Sequence, residues 1–117
     1  MSFSGTWASD DGSLVLIIAN AGDDGSFEGT FVYAGDSFPI QTGHWHNGVT
    51  PASTYAFEVS ADDPIQAYIG AAGVITGAAN GGTPSQITIA GAMATITGST
   101  PTSGNSLSLF AGILLPQ

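Results

Sequence analysis

Two imidazoles and nine carboxylates are the side chains of this 117-residue sequence most able to do chemistry. His44 and His46 flank Trp45, and a spacing of two puts both rings on one face of a β-strand, where they could ligate zinc or copper or act as a pH sensor. No Cys and no nearby third ligand accompanies them, so a place on a rim or at a subunit contact is expected, and no metal site. Trp45 would point the other way, towards the interior that the strand encloses. Six of the nine carboxylates fall in pairs, Asp10 with Asp11, Asp23 with Asp24 and Asp62 with Asp63. A calcium loop needs alternating ligands and a distal Glu, which no pair has, so the pairs read as turn residues and solubilising charge. Acid–base catalysis by two carboxyls needs contrasting environments, and nothing near these pairs supplies the contrast. Ser and Thr are plentiful, but there is no Gly-x-Ser-x-Gly elbow and the two His lie side by side. Neither an enzyme nor a cofactor site is expected.

Composition removes further classes. Lys and Arg are absent against nine acids, a formal charge of −9. Nucleic acid and anionic membrane surfaces are bound by basic residues that displace counterions, so both are excluded as partners. Without cysteine there is no disulfide, no thiol nucleophile and no thiolate-bound metal. No stretch reads as a signal peptide or a spanning helix, and a soluble protein is expected, secreted or cytoplasmic. The length suits one domain covering residues 1–117 around a single core.

The elements that must position these residues are strands. Short strand-like segments recur at regular spacing: Ser4 to Ala8, Ser13 to Ala19, Phe27 to Ala34, Phe38 to His46, Ser53 to Ser60, Ile65 to Ala78, Ser85 to Gly98 and Ser106 to Leu114. Asp10-Asp11-Gly12, Asp23-Asp24-Gly25, Gly35-Asp36, Asp62-Asp63-Pro64, Asn80-Gly81-Gly82 and Thr102 to Asn105 separate them, mostly with hairpin chemistry. Phe27, Phe31 and Tyr33 share one face against Glu28, Thr30 and Val32, and Tyr55, Phe57 and Val59 oppose Glu58. Leu14 to Ile18 is apolar on both faces, which predicts cover from outside as well. No helical period is long enough to count. The expected fold is all-β: an antiparallel, eight-stranded up-and-down barrel whose closure removes both edges.

Gly5-Thr6-Trp7, Gly12-Ser13, Asp24-Gly25, Gly29-Thr30-Phe31 and Thr42-Gly43-His44-Trp45 follow one another in an order and spacing that resemble the avidin and streptavidin family. The resemblance covers roughly the first 45 residues. It implies a barrel holding biotin in its open end, often as a homotetramer. It places Ser13 where the family has a serine bonding the ureido oxygen, and Ser9 where it has asparagine. Phe31 replaces the ureido tyrosine, and Tyr33 falls where the family has serine or threonine. The later tryptophans that box the ligand have no counterpart after Trp45, nor is there an acid after Asp63 to meet the ureido nitrogens. A pocket lined by Val74, Ile75, Met93 and Phe110 would be apolar and poor in hydrogen bonds. The expected function is thus binding of biotin or a biotin-like molecule, weakly, through Ser9, Ser13, Phe31, Tyr33 and Trp45.

Gly22 to Ile40 is also similar to a stretch of the lectins that bind high-mannose glycans, through Asp23, Asp24, Gly29, Thr30, Tyr33, Ala34, Gly35, Pro39 and Ile40. A glycan is therefore the alternative ligand, and a structural subunit with a vestigial pocket a third reading. Pro64 to Gln117 holds no charged side chain, which predicts that this half packs against another copy in a homo-oligomer, a dimer or tetramer.

Overall fold

A computed structural model describes residues 4–21, 24–50, 52–61, 66–77, 84–96 and 105–117. Eight strands follow in order: β1 (Gly5–Ala8), β2 (Leu14–Ala21), β3 (Ser26–Tyr33), β4 (Asp36–Thr50), β5 (Ala52–Ala61), β6 (Gln66–Thr76), β7 (Gln86–Ile96) and β8 (Asn105–Pro116). Each pairs antiparallel with the next, and β1 closes onto β8 to give a closed barrel with neighbours in sequence order. This is the up-and-down barrel expected from the turn spacing.

Alternation places the core inside. In β5, Ser53, Tyr55, Phe57 and Val59 are buried while Thr54, Ala56 and Glu58 are exposed, and β6 buries Ala67, Ile69, Ala71 and Ile75 in the same way. Trp7, Leu16, Phe31, Ile87 and Leu114 join them in one continuous cluster. Small-barrel interiors are filled by such side chains. The inward parity changes within β4: Phe38 and Ile40 point in, then Gly43 and Trp45. The change falls at a register shift opposite Phe27 to Gly29. Gly43 fits there because a Cβ would stand 2.7 Å from the Phe27 ring.

Several boundaries differ from the sequence reading. The β3–β4 connection is Ala34–Gly35, and Asp36 already pairs with Tyr33. Both turn residues have positive φ, 54° and 86°, the backbone of a two-residue hairpin whose twist matches the strands. Ala34 accepts a conformation that favours Gly or Asn, so its type hid its place. Strand β4 runs past His46 to Thr50, because a register shift beyond His46 absorbs Asn47-Gly48 without turning the chain. Val74 lies on the outer face at 38% exposure, one residue out of phase with buried Ile75, and so cannot line an internal pocket. Ile17, on the outer face of β2, is 37% exposed, so the outside cover expected there does not come from the described residues. The turns expected at Asp62-Asp63-Pro64, at Asn80-Gly81-Gly82 and over Thr102 to Gly104, and Asp23 of another, lie outside the described residues.

Candidate ligand site at the barrel mouth

In a meander, alternate connections share an end. The turn joining β1 to β2 and the Ala34–Gly35 turn therefore sit together, and Leu14 pairs with Tyr33 to bring them side by side. Trp45 lies towards the other end. It pairs with Tyr55, and its backbone N–H donates to the Gly25 carbonyl at 2.8 Å, beside the turn that leads into β3. Of the five residues expected to meet the ligand, Ser9, Ser13, Phe31 and Tyr33 thus belong to one end, and Trp45 packs away from them in the core.

The β1–β2 turn is organised around Asp11. Its Oδ1 accepts the Ser9 hydroxyl at 2.8 Å, the Ser13 hydroxyl at 2.8 Å and the Ser13 N–H at 3.0 Å. The Ser13 N–H, with the two hydroxyls behind it, holds the Asp11 carboxyl down at about 2. Ser9 also ties the turn to the strand: its N–H donates to the Leu14 carbonyl at 3.0 Å, and its Oγ accepts the Leu14 N–H at 3.1 Å. A carboxylate cannot donate, so in both serine contacts the hydroxyl is the donor, and for Ser9 the Asp11 bond at 2.8 Å is shorter than its reach to the Leu14 carbonyl at 3.4 Å. A ligand oxygen seeking the Ser13 proton would have to compete with that carboxylate.

The same Asp-Asp-Gly-Ser string recurs from Asp23 to Ser26. There Asp24 accepts the Ser26 hydroxyl at 2.7 Å and the Ser26 N–H at 3.1 Å, and those bonds, the hydroxyl first, lower its carboxyl. The Asp–Ser contact is therefore a turn device used twice; only the first copy has a serine two residues before it.

Below the Asp11 turn the lumen is aromatic. Tyr33 stacks on Phe31 with centroids 6.1 Å apart and meets Phe110 at 5.0 Å, while Phe31 lies 5.2 Å from both Phe57 and Phe110. Phe31 is fully buried and Tyr33 half-buried, so Tyr33 is the ring of this group nearest the opening. Such rings give an apolar floor with edge and face contacts, and Tyr33 adds a hydroxyl. At the other end, Tyr55 donates to the Thr88 carbonyl at 2.8 Å, and burial pushes its phenol far above the usual tyrosine range, so it is a neutral structural group.

His44 and His46 are both exposed on the outer face of β4, as their spacing predicts. Among the described residues no group of three or more His, Cys, Asp or Glu side chains gathers as a metal site would require. Among the described residues no helix is long and apolar enough to cross a membrane. The sequence reading missed the part played by Asp11. The signal was present as Ser-x-Asp-x-Ser over residues 9–13, in which each side-chain oxygen is two residues from the next.

No known sequence family matches the chain, and no curated protein sequence matches it. Solved structures do. Xenavidin is similar over 99% of this chain and 97% of its own, at 16% identity and a TM-score of 0.60. A point variant of shwanavidin in complex with biotin is similar over 100% and 99%, at 14% identity and a TM-score of 0.55. The chain has the fold of the avidins end to end, including the half where the sequence motifs run out.

Proposed function

We propose that this chain is an avidin-type binding protein, not an enzyme, and that its barrel mouth takes a small, largely apolar molecule such as biotin with low affinity. The observation that carries the reading is the aromatic floor of Phe31, Tyr33 and Phe110 beneath the mouth, edged by the Ser9–Asp11–Ser13 turn. The biotin complex of the similar shwanavidin variant supplies the ligand class. Low affinity follows from the polar groups on offer. Phe31 has no hydroxyl, the Ser13 proton is held by Asp11, and no acid follows Asp63 in the sequence. Each missing polar partner in a buried site removes about 1–3 kcal/mol of discrimination.

Calorimetric titration with biotin tests this, with Tyr33→Phe and Ser13→Ala alongside. Saturable heat that weakens in Tyr33→Phe supports the mouth as the site. No heat up to millimolar biotin would remove biotin as the ligand and turn attention to glycans, for which an array is the matching experiment.

A further inference from the structure

The serines that edge the mouth also face outward. Strand β1 is short and pairs with β8 only through Trp7 with Pro116 and Ala8 with Leu115. Past that point β8 runs on without a β1 partner, and the β1–β2 turn stands beside it. Between them lies a hollow of about 560 Å³ lined by Ser9, Asp10, Asp11, Ser13 and Leu14 on one side and by Ala111, Gly112, Ile113 and Leu115 on the other. Ala111, Ile113 and Leu115 are exposed and alternate with buried Phe110 and Leu114, so the hollow is on the barrel's outer wall and not in its lumen. Its volume is in the range of small-molecule sites.

The two walls differ in kind. The strand wall is aliphatic. The turn wall presents acceptors: the Ser9 and Ser13 hydroxyls donate to Asp11 Oδ1 and Ser9 Oγ accepts the Leu14 N–H, so what this wall offers a donor is the Asp11 carboxylate and the lone pairs of the Ser13 hydroxyl. Asp11 stays ionised across the physiological range because its carboxyl is held at about 2. The sequence has no Lys or Arg, so no side chain of the same protein with a permanent positive charge can fill that wall. Asp24, in the matching turn at the other end, makes the same two bonds to Ser26, so the bonding to a following serine is not by itself what sets Asp11 apart; the hollow beside it is.

We infer that this wall hollow is a second binding site, selective for an organic cation with an apolar body. Its ammonium donates to Asp11 and the Ser13 oxygen while its hydrocarbon lies on Ile113 and Leu115. Charge-assisted bonds to a carboxylate are about twice as strong as neutral ones, and the aliphatic wall rewards a chain or ring attached to the charge. An anion of the same shape meets only acceptors and is rejected. The site does not depend on the mouth reading.

The test is calorimetric titration with 4-phenylbutylammonium, 4-phenylbutanol and 4-phenylbutyrate as isosteric cation, neutral and anion. The cation is expected to bind one to one and at least about tenfold more tightly than the anion, and to weaken as salt rises. Asp11→Asn keeps an oxygen for the two serines and removes only the charge, and should weaken the cation about tenfold. Asp24→Asn should leave it unchanged, and Ile113→Ser should weaken both cation and alcohol. If none of the three saturates by millimolar concentration, if they bind alike, or if Asp11→Asn and Asp24→Asn lose affinity equally, the inference is overturned. Biotin titrated into the cation-free protein separates the two readings: saturable cation binding with no biotin heat there would remove the mouth reading and leave this one standing, whereas biotin that displaces the cation would show one site and overturn the inference of a second.

Discussion

Asp11 shows how much one side chain can organise when its oxygens are shared. Three donors converge on one atom, and the carboxylate, although exposed, is held well below its ordinary value of 3.8. A depressed carboxyl stabilises the fold above its unfolded value, and the contribution fades as pH falls from near 3.8 through about 2. NMR titration of the Asp11 carboxyl carbon should therefore show a midpoint near 2, and Ser13→Ala should move it upward while the Asp24 midpoint stays fixed. An Asp11 midpoint near 3.8 in the unmodified protein would mean that the serine bonds do not hold in solution. Individual residues were only partly legible in the sequence. Ser9, Ser13, Phe31 and Tyr33 reach one end of the barrel, because strand alternation and turn position carry that information. Asp11 was read as a turn residue because Asp-Gly signals a turn whether or not the carboxylate does anything further, as Asp24 illustrates. The place of Trp45 towards the other end is not legible, because alternation tells inside from outside and does not tell one end of the lumen from the other.

At the level of elements, all eight strands were readable from turn chemistry and period-two alternation. What escaped were irregularities that tertiary contacts impose: the parity change in β4, its continuation to Thr50, and the Ala34–Gly35 turn. Strand β6 holds one more, and it separates two glycines of similar appearance. Its ladder with β7 skips from Ala72 opposite Ala90 to Ile75 opposite Ile87, and across the skip Val74 N–H donates to the Thr88 hydroxyl at 3.0 Å. A Cβ on Gly73 would collide with the Thr88 carbonyl and lie 2.8 Å from the Tyr55 ring, the same pair that forms the Tyr55–Thr88 hydrogen bond. A Cβ on Gly70 meets nothing within 4 Å. Gly73→Ala is expected to cost about 1–3 kcal/mol by overpacking. Gly70→Ala should instead gain about 0.4–1 kcal/mol by restricting the unfolded chain. Urea unfolding of the two variants measures the difference, and equal effects would show that the β6–β7 irregularity relaxes freely.

The whole molecule is divided electrically. All its acids precede Pro64, and the outward rows of β6, β7 and β8 are neutral: Tyr68, Ala94 and Leu107 align across the sheet, followed by Gly70, Ala92 and Leu109. Tyr68, Leu107 and Leu109 are 68%, 70% and 78% exposed, and the small residues between them leave a shallow surface that a second sheet can approach. Singly exposed apolar residues are ordinary, but an aligned group without a charge marks an association surface. A second copy fits it better than a charged partner, because pairing these rows buries no charge. With −9 on each chain the copies still repel, so the association predicted here should strengthen with salt. That is the opposite of the cation site on the neighbouring wall. Sedimentation at micromolar concentration should find a dimer or larger species whose dissociation constant falls severalfold between about 0.02 and about 0.5 M sodium chloride. Leu109→Asp should return it to monomer at either salt concentration. A chain that is monomeric under both conditions would leave Leu107 and Leu109 as exposed hydrophobics without a partner of their own kind, and the neutral half of the sequence without the role its composition suggests.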